Sequence, residues 1–368
     1  MGAGSVALLV GGLALVVLMI VDLAATLVVT WGSAGAWRPT RRFYRRSWRL
    51  WSRAGRRMGN VDHQQRFLAT YAPLSLLALL FMWLTGLLLG WTLVWLALRD
   101  QVTGVDDFGS ALYYSGVVLL TVGFGDVTAE GLGARLLSIT EAGTGLTSIA
   151  LVISYLPALY GAYGRRETRL LTLDVPSGER ITPTGLVVSQ SPGQDLDALY
   201  RFFEHWELWM AEVLESHTTY PMLAFFRSQH RGQSWITALG VVLDAAVICT
   251  AVIPGAEIRS PFFLYRRGRQ AVDEIHRRLD PPVVTDTFLD ERAFGYAYRL
   301  IVDAGLPHRP QEEAWARMQE LRPTYGDQLQ GLFDYLVAPP GFWGHGAGDE
   351  LPEPEIPAEA GVPPRGDG

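Results

Sequence analysis

Residues 121–126 read TVGFGD, and this stretch decides how the rest of the chain is interpreted. It follows an apolar run over residues 111–120 and precedes a longer one over residues 132–163. Gly123 and Gly125 have no Cβ, so the backbone can alternate between ordinary and positive φ values and turn successive carbonyls the same way. A glycine-rich turn between two helices is the alternative. The apolar segments on both sides favour a loop that enters a membrane and returns.

The TVGFGD string resembles the selectivity filter of the potassium channel superfamily, and the similarity covers about residues 65–165. Stacked backbone carbonyls in such a filter replace the water that a K⁺ ion loses. The resemblance implies a filter formed by Thr121, Val122, Gly123, Phe124 and Gly125, with K⁺ held by the carbonyls of the first four residues. Because the chain carries one filter, a conducting pore requires four chains, and a homotetramer is implied. No cofactor is expected, since K⁺ is only the permeant ion.

Side chains around the filter are expected to hold it in shape. Tyr113 and Tyr114 stand where the superfamily places an aromatic cuff, and either can bond Asp126. Phe124 departs from the commoner tyrosine, which removes one hydroxyl from that cuff. Glu141 is an ionisable residue within a membrane helix, a position that favours a functional role. It either supports the back of the filter by hydrogen bonds or faces the cavity.

Two residues of the segment 132–163 are candidates for a gating hinge. By resemblance, Gly145 falls where potassium channels often place a hinge glycine. Pro157 removes a backbone hydrogen bond and favours a kink. Close packing against another helix is the alternative explanation of Gly145.

The apolar runs of the first 163 residues predict three membrane helices and one short re-entrant helix. Residues 3–31 predict the first transmembrane helix, which carries Asp22. Residues 66–98 predict the outer pore-domain helix. The pore helix and filter are expected at 108–126, and the inner pore-lining helix at 132–163.

Residues 37–60 combine many arginines with aromatic side chains and predict an amphipathic helix at the cytoplasmic surface. Tyr44, Trp48 and Trp51 recur at helical spacing and are expected to lie in the membrane interface. A topology signal without lipid contact is the alternative. The arginines expected to contact anionic lipid head groups are Arg41, Arg42, Arg45, Arg46, Arg49 and Arg53.

A second basic cluster follows the third membrane helix and contains Arg165, Arg166 and Arg169. Basic residues favour the cytoplasmic side of a membrane, so both clusters are expected on that side. A re-entrant loop between the second and third helices then places the N-terminus outside and the C-terminal domain in the cytoplasm. We expect a multi-pass protein of the plasma membrane.

The remainder of the chain predicts a helical cytosolic domain at 171–338, because apolar residues recur three and four apart from Leu196 onward. Within it, residues 233–253 are nearly long enough to span a membrane. Basic residues flank both ends and Asp244 lies inside, so a buried core helix is favoured over a fourth membrane segment. Residues 339–368 are rich in Pro, Gly and acidic residues and predict a disordered tail.

Composition and motifs exclude several other classes of protein. The net charge of −6 provides no basic surplus for nucleic acid, and the single cysteine excludes an intrachain disulfide. No glycine-rich dinucleotide fingerprint is present, so a Rossmann-like regulatory domain is not expected. No nucleophile–base motif is present either, so an enzyme is not expected; a C-terminal enzyme fused to a pore is the alternative. Asp273 and His276 share a helix face, but one such pair is weak support for a metal site.

These patterns together predict an all-α membrane protein with three transmembrane helices, a re-entrant pore helix and filter, and a helical cytosolic domain. The resemblance implies passive, K⁺-selective conduction through a homotetramer, with a regulatory domain whose ligand the sequence does not identify. The alternatives are a poorly selective cation channel and a non-conducting membrane scaffold or sensor. Intact glycines in the filter argue against both alternatives.

Overall fold

The computed structural model describes residues 2–28, 38–173, 182–228, 234–285 and 290–338. Most of these residues are helical, which confirms the all-α fold predicted from the sequence. Two strands of two residues, β1 (Val102–Thr103) and β2 (Thr128–Ala129), pair antiparallel. The helices are α1 (Ala3–Leu27), α2 (Pro39–Arg56), α3 (Val61–Ala69), α4 (Tyr71–Ala97), α5 (Phe108–Leu119), α6 (Gly131–Leu170), α7 (Pro183–Ser189), α8 (Leu196–Thr219), α9 (Trp235–Val252), α10 (Ser260–Leu279), α11 (Glu291–Asp303), α12 (Gln311–Leu321) and α13 (Gly326–Leu336).

Four helical segments of the described chain are long and apolar enough to cross a membrane, judged by length and composition. The first three contain α1, α4 and α6, where the sequence predicts membrane helices. The predicted first span, 3–31, continues past residue 28 into residues outside the described ranges. α6 extends seven residues beyond the predicted end at 163. The described residues from 182 to 338 are termed the C-terminal domain.

Small residues bring α1 and α4 close together. A Cβ added at Gly12 would lie 2.6 Å from the carbonyl oxygen of Gly90, and one at Gly86 would lie 2.5 Å from Sδ of Met19. Glycines of this kind let membrane helices approach closely where lipid supplies no hydrophobic drive for association. The opposite side of α1 exposes a valine-rich face suited to lipid, formed by Val6, Val10, Val17 and Val21.

Asp22, the one charged residue of α1, is buried where α1, α2 and α4 meet. Its Oδ2 accepts hydrogen bonds from the backbone N–H of Thr40 (3.1 Å) and from the indole N–H of Trp83 (2.9 Å). Thr40 lies in the first turn of α2, where unpaired backbone N–H groups favour a nearby anion. Nε of Arg38 lies 3.5 Å from Oδ1 of the same carboxylate. These contacts give Asp22 a role in joining three helices.

The aromatic face of α2 packs against protein, so the expectation that it lies in the membrane interface is wrong. Trp48 is 1% exposed, and its indole N–H donates to the backbone carbonyl of Tyr335 (2.9 Å). Tyr44 stacks on Phe225, with ring centroids 5.8 Å apart. These partners come from the C-terminal domain, far along the chain, and no local pattern around α2 indicates that they will cover it.

The C-terminal domain is built around α9. Of the 18 residues of α9, 17 are buried, and the helix contacts α7, α8, α10, α12 and α13. Asp244, near its middle, lies 3.0 Å from Nε of Arg322 and accepts a hydrogen bond from the hydroxyl of Tyr325 (2.5 Å). This enclosure favours the core-helix interpretation of residues 233–253. The predicted tail, 339–368, lies outside the described residues.

Candidate functional site

The segment between β1 and β2, which the sequence predicts to be re-entrant, begins with a capped helix, α5. Asp107 is the N-cap of α5, and its Oδ1 accepts a hydrogen bond from the backbone N–H of Ser110 (2.8 Å). The hydroxyl of Ser110 in turn accepts a hydrogen bond from the backbone N–H of Asp107 (3.0 Å). The two bonds form a capping box and satisfy backbone donors at the start of the helix. Pairing of β1 with β2 brings the two ends of the segment together, with Val102 opposite Ala129. The segment between the two strands therefore begins and ends at neighbouring positions.

The backbone of residues 121–125 alternates in the manner that the two glycines predict. Gly123 has φ of 65° and Gly125 has φ of 80°. Thr121 also lies in the left-handed region, with φ of 56°, and a β-branched residue there costs about 1 kcal/mol or more. Backbone N–H groups of Thr121 and Val122 donate to the carbonyls of Val118 (3.0 Å) and Val117 (2.8 Å), respectively. The end of α5 thus holds the first turn of the strand in a strained form that the sequence did not indicate.

The outward side chains of this strand have few neighbours within the described chain. Val122 is 50% exposed and Phe124 is 69% exposed. Side chains that alternate with the two glycines can hold this backbone in place only if they pack against other groups. In the described chain, half or more of each of these two side chains stays uncovered.

Tyr113 forms a hydrogen bond to Asp126, which the sequence suggested for either Tyr113 or Tyr114. Its hydroxyl donates to Oδ2 of Asp126 at 2.8 Å. The hydroxyl of Tyr114 instead shares a hydrogen bond with Oγ of Ser138 on α6 (2.7 Å), and its ring packs edge-on against Trp95. The first tyrosine therefore ties the end of the strand to α5, while the second ties α5 to α6 and α4.

Glu141 is fully buried behind α5 in the described chain, and its support of the filter stays a prediction. Its Oε1 accepts a hydrogen bond from the hydroxyl of Ser115 on α5 (2.6 Å). Its Oε2 accepts one from the indole N–H of Trp95 on α4 (2.5 Å). The carboxylate thus joins α4, α5 and α6. Ser115 and Trp95 were not predicted as site residues, although a buried acid requires donors on neighbouring helices.

Gly145 packs directly against the end of α5. A Cβ added there would lie 1.9 Å from the carbonyl oxygen of Leu119, while one added at Gly143 would meet nothing within 4 Å. The geometry supplies the packing explanation of Gly145. α6 continues as one helix through both Gly145 and Pro157, and the hinge role of these two residues stays a prediction.

The arginines of α2 divide into two groups. Arg41 and Arg45 lie 3.5 Å and 2.6 Å from Oδ2 of Asp280, at the end of α10. The others proposed to contact lipid are on the exposed side of α2, namely Arg42, Arg46, Arg49 and Arg53. Lipid contact stays a prediction for all six, and two of them are already held by a carboxylate of the C-terminal domain.

A buried polar cluster that the sequence did not indicate joins the end of α6 to the C-terminal domain. Arg166 is 2% exposed; it donates to Oε1 of Glu167 (2.9 Å) and to the backbone carbonyl of Phe226 (2.7 Å). Its Nη1 lies 3.4 Å from Nε2 of His217 on α8, whose Nδ1 lies 2.8 Å from the carbonyl of Val213. Burial, reinforced by the Arg166 charge, lowers the pKa of His217 to about 3. His217 is therefore neutral and accepts from the guanidinium.

The metal pair considered from the sequence gains no further ligands. Asp273 lies 3.4 Å from the guanidinium of Arg277. Within the described ranges, no group of three or more His, Cys, Asp or Glu side chains is placed to hold a metal ion.

Comparison with known proteins places the similarity in the region just described. Residues 78–160 match the Ion_trans_2 family, which is described as an ion channel. The chain is also 24% identical over 212 residues, 55% of its length, to an uncharacterized membrane protein, YdjJ, of Bacillus subtilis (strain 168). It spans 60% of the length of that relative. No solved structure matches. The chain is thus a multi-pass, all-α membrane protein whose α4–α6 region is similar to an ion channel family.

Proposed function

We propose that this protein conducts K⁺ selectively and passively through a pore formed by four copies of the chain. The observation that carries the proposal is the backbone of residues 121–125, with positive φ at Thr121, Gly123 and Gly125. Alternation of this kind turns consecutive carbonyls toward one side of a strand. Carbonyls in a row are the ligands that replace the hydration shell of K⁺.

One strand supplies only one wall of such a path. Four strands around a common axis would surround each ion with carbonyls from Thr121, Val122, Gly123 and Phe124, and Gly125 would complete the filter. Closed rotational symmetry is the usual arrangement of identical subunits around a shared axis. The exposed side chains of Val122 and Phe124 support the assembly, because they would pack against a neighbouring subunit.

An apolar stripe along α6 supports the same assembly. Its members are spaced by three, four or seven residues, so they lie on one side of the helix. They are more than half exposed in the single chain, namely Leu132, Leu136, Ile139, Leu146 and Ile153. Neighbouring subunits and lipid would share this surface in a tetramer.

The sidedness and regulation of the channel follow as parts of the proposal. Basic clusters around Arg45 and Arg165 favour a cytoplasmic position for α2 and the C-terminal domain, in a plasma-membrane protein with its N-terminus outside. Anionic lipids would contact the exposed arginines of α2. The Arg166–His217 cluster would transmit movements of the C-terminal domain to α6, which makes that domain the proposed regulator.

Flux into liposomes tests the proposal. Purified protein in liposomes should admit ⁸⁶Rb⁺ and K⁺ but exclude Na⁺, and Ba²⁺ should block the flux. Gly123→Ala should abolish flux and leave the tetramer intact, because an L-residue at φ of 65° is strained. Gly133→Ala is the matched control, since its Cβ meets nothing within 4 Å.

Other outcomes would assign the protein to an alternative class. Equal flux of Na⁺ and K⁺ would indicate a poorly selective cation channel. No flux from either the full chain or a chain without residues 171–368 would indicate a non-conducting scaffold or sensor. Unchanged K⁺ flux in Gly123→Ala would remove residues 121–125 from the ion path.

A further inference from the structure

The outer side of α2 is strongly basic and solvent-exposed. Arg46, Arg49 and Arg53 are spaced by three and four residues, so they lie on one side of the helix, which we term the basic face. Leu50 lies among them and is 68% exposed. None of these three arginines forms an ion pair with a carboxylate in the part of the chain that the structure describes.

The C-terminal domain already supplies one carboxylate to this helix. Asp280 binds both Arg41 and Arg45 on the side of α2 adjoining the basic face. An acidic group from the C-terminal domain therefore reaches α2 in the folded chain. The contact demonstrates charge complementarity between the two regions.

The described chain ends beside α2. The guanidinium of Arg56 donates to the backbone carbonyl of Asp334, near the end of α13. The amide of Gln65, in α3 directly after α2, donates to the carbonyl of Val337 (3.4 Å). The described chain thus ends, at residue 338, next to the C-terminal end of α2.

The thirty residues that follow, 339–368, are acidic. Five carboxylates fall within residues 349–359 and no basic residue interrupts them, namely Asp349, Glu350, Glu353, Glu355 and Glu359. Eleven residues can extend to roughly 36 Å, and α2 is roughly 27 Å long, so the segment is long enough to follow the helix. Ten residues separate Ala338 from Asp349, which allows the segment to reach the basic face.

We propose that the acidic segment 349–359 docks on the basic face of α2. The tether keeps the segment at a local concentration of about 1 mM or more, so weak individual ion pairs suffice for partial occupancy. Salt weakens the contact, because exposed charges are screened beyond about 10 Å at 0.1 M ionic strength. Anionic lipid would compete for the same arginines; this second part rests on the lipid contact proposed above, whereas the docking itself does not.

Distance measurement tests the docking without any anionic lipid. Spin labels at Leu50→Cys and Ala358→Cys would be placed in the full chain, in nanodiscs of zwitterionic lipid, with an excess of unlabelled subunits. Cys249 is fully buried and should not react. We expect a population of short label-to-label distances at 50 mM salt that is lost at 1 M salt. The same loss is expected in Arg46→Gln/Arg49→Gln/Arg53→Gln.

The matched control is Arg266→Gln/Arg269→Gln, which removes two exposed arginines from α10. This control should leave the short distances in place. A distance distribution that is unchanged at 1 M salt and in the α2 triple variant would overturn the docking. A distribution that responds equally to the α10 substitutions would overturn the assignment of the contact to α2.

Vesicle sedimentation separates the docking from the lipid contact. A chain in which the five acids become amides (Asp349→Asn, Glu350→Gln, Glu353→Gln, Glu355→Gln, Glu359→Gln) should bind phosphatidylserine-containing vesicles at least about threefold tighter than the wild type at low salt. Equal binding by both chains would overturn the competition. Unchanged binding by the α2 triple variant would instead overturn the lipid contact of the proposed function and leave the distance result as it stands.

Discussion

α6 and α9 are two apolar helices that each bury an acidic side chain within their apolar stretch, Glu141 and Asp244, but the surroundings of the two helices differ. α6 leaves an apolar stripe uncovered and holds Glu141 with the neutral donors Trp95 and Ser115. α9 is covered on almost every side, and Asp244 is paired with the charged Arg322. The most apolar 18-residue window of α9 is nevertheless more apolar than that of α6.

Apolar composition alone does not decide what surrounds a helix. A helix in lipid can leave its side chains uncovered, whereas the same side chains in water must be buried by other helices. The partners of the two buried acids also differ, because Glu141 is bound by neutral donors and Asp244 by a charged arginine. Arg322 compensates the charge of Asp244 where surrounding helices enclose the pair, while neutral donors suffice for Glu141.

The largest expected effect comes from breaking the ion pair of α9. Asp244→Leu should destabilise the C-terminal domain by about 3–5 kcal/mol, because the buried guanidinium of Arg322 then loses the carboxylate 3.0 Å away. Chemical unfolding in detergent, followed by circular dichroism, measures the loss. The double variant Asp244→Leu/Arg322→Met removes both charges and should recover most of the stability. A double variant as unstable as the single one would contradict the assignment of the loss to this broken ion pair.

The second-largest effect is expected at the close contact between α6 and α5. Gly145→Ala should cost about 1–3 kcal/mol and strongly reduce K⁺ flux, because its Cβ would overlap the carbonyl of Leu119 and push the two helices apart. The thermal midpoint of the purified protein and liposome flux are the measurements. Gly143→Ala, two residues away with open space around its Cβ, should leave both unchanged. Equal effects of the two substitutions would indicate a change in helix flexibility instead of packing.

A smaller effect is expected at the carboxylate of α6. Glu141→Gln keeps one acceptor for the indole of Trp95 or the hydroxyl of Ser115 and should cost about 1 kcal/mol. Glu141→Ala leaves both donors unsatisfied and should cost about two to three times as much. Thermal unfolding of the purified protein distinguishes the two substitutions. Similar midpoints for the glutamine and alanine variants would show that the hydrogen bonds to Glu141 contribute little.

The smallest effect concerns pH and the junction between α6 and the C-terminal domain. The folded pKa of His217 lies near 3, below the ordinary value of 6.5, so the unfolded chain binds a proton first as the pH falls. Stability is therefore complete above pH 6.5 and decreases as the pH falls toward 3, by less than about 1 kcal/mol between pH 7 and pH 6.

His217→Gln tests this pH dependence, because an amide can still accept from Arg166 and donate to Val213 but does not titrate. The unfolding midpoint of the variant should change less between pH 7 and pH 6 than that of the wild type. His205→Gln is the control, since His205 is exposed on the same helix. Equal pH dependence in the wild type and His217→Gln would assign the titration to another group.

Much of the candidate site was predictable because its chemistry is local. Gly123 and Gly125 indicate their positive φ values by residue type alone, and Asp107 and Ser110 form a cap within four residues. The unpredicted parts depend on contacts across long sequence separations. Thr121 is held in the left-handed region by the end of α5. Glu141 accepts a hydrogen bond from Trp95 on α4, 46 residues earlier in the chain.

The all-α class, the apolar segments able to cross a membrane and the positive φ values of Gly123 and Gly125 were predictable from the sequence. These features follow from runs of apolar residues and from backbone freedom, both of which are properties of neighbouring residues. The tertiary structure was needed to show that the aromatic face of α2 packs on Phe225 and Tyr335 and that Arg166 joins α6 to the C-terminal domain. It also shows how fully other helices enclose α9, for which the sequence only favoured a core position. Burial depends on what distant segments bring to the same place, and no local pattern contains that information.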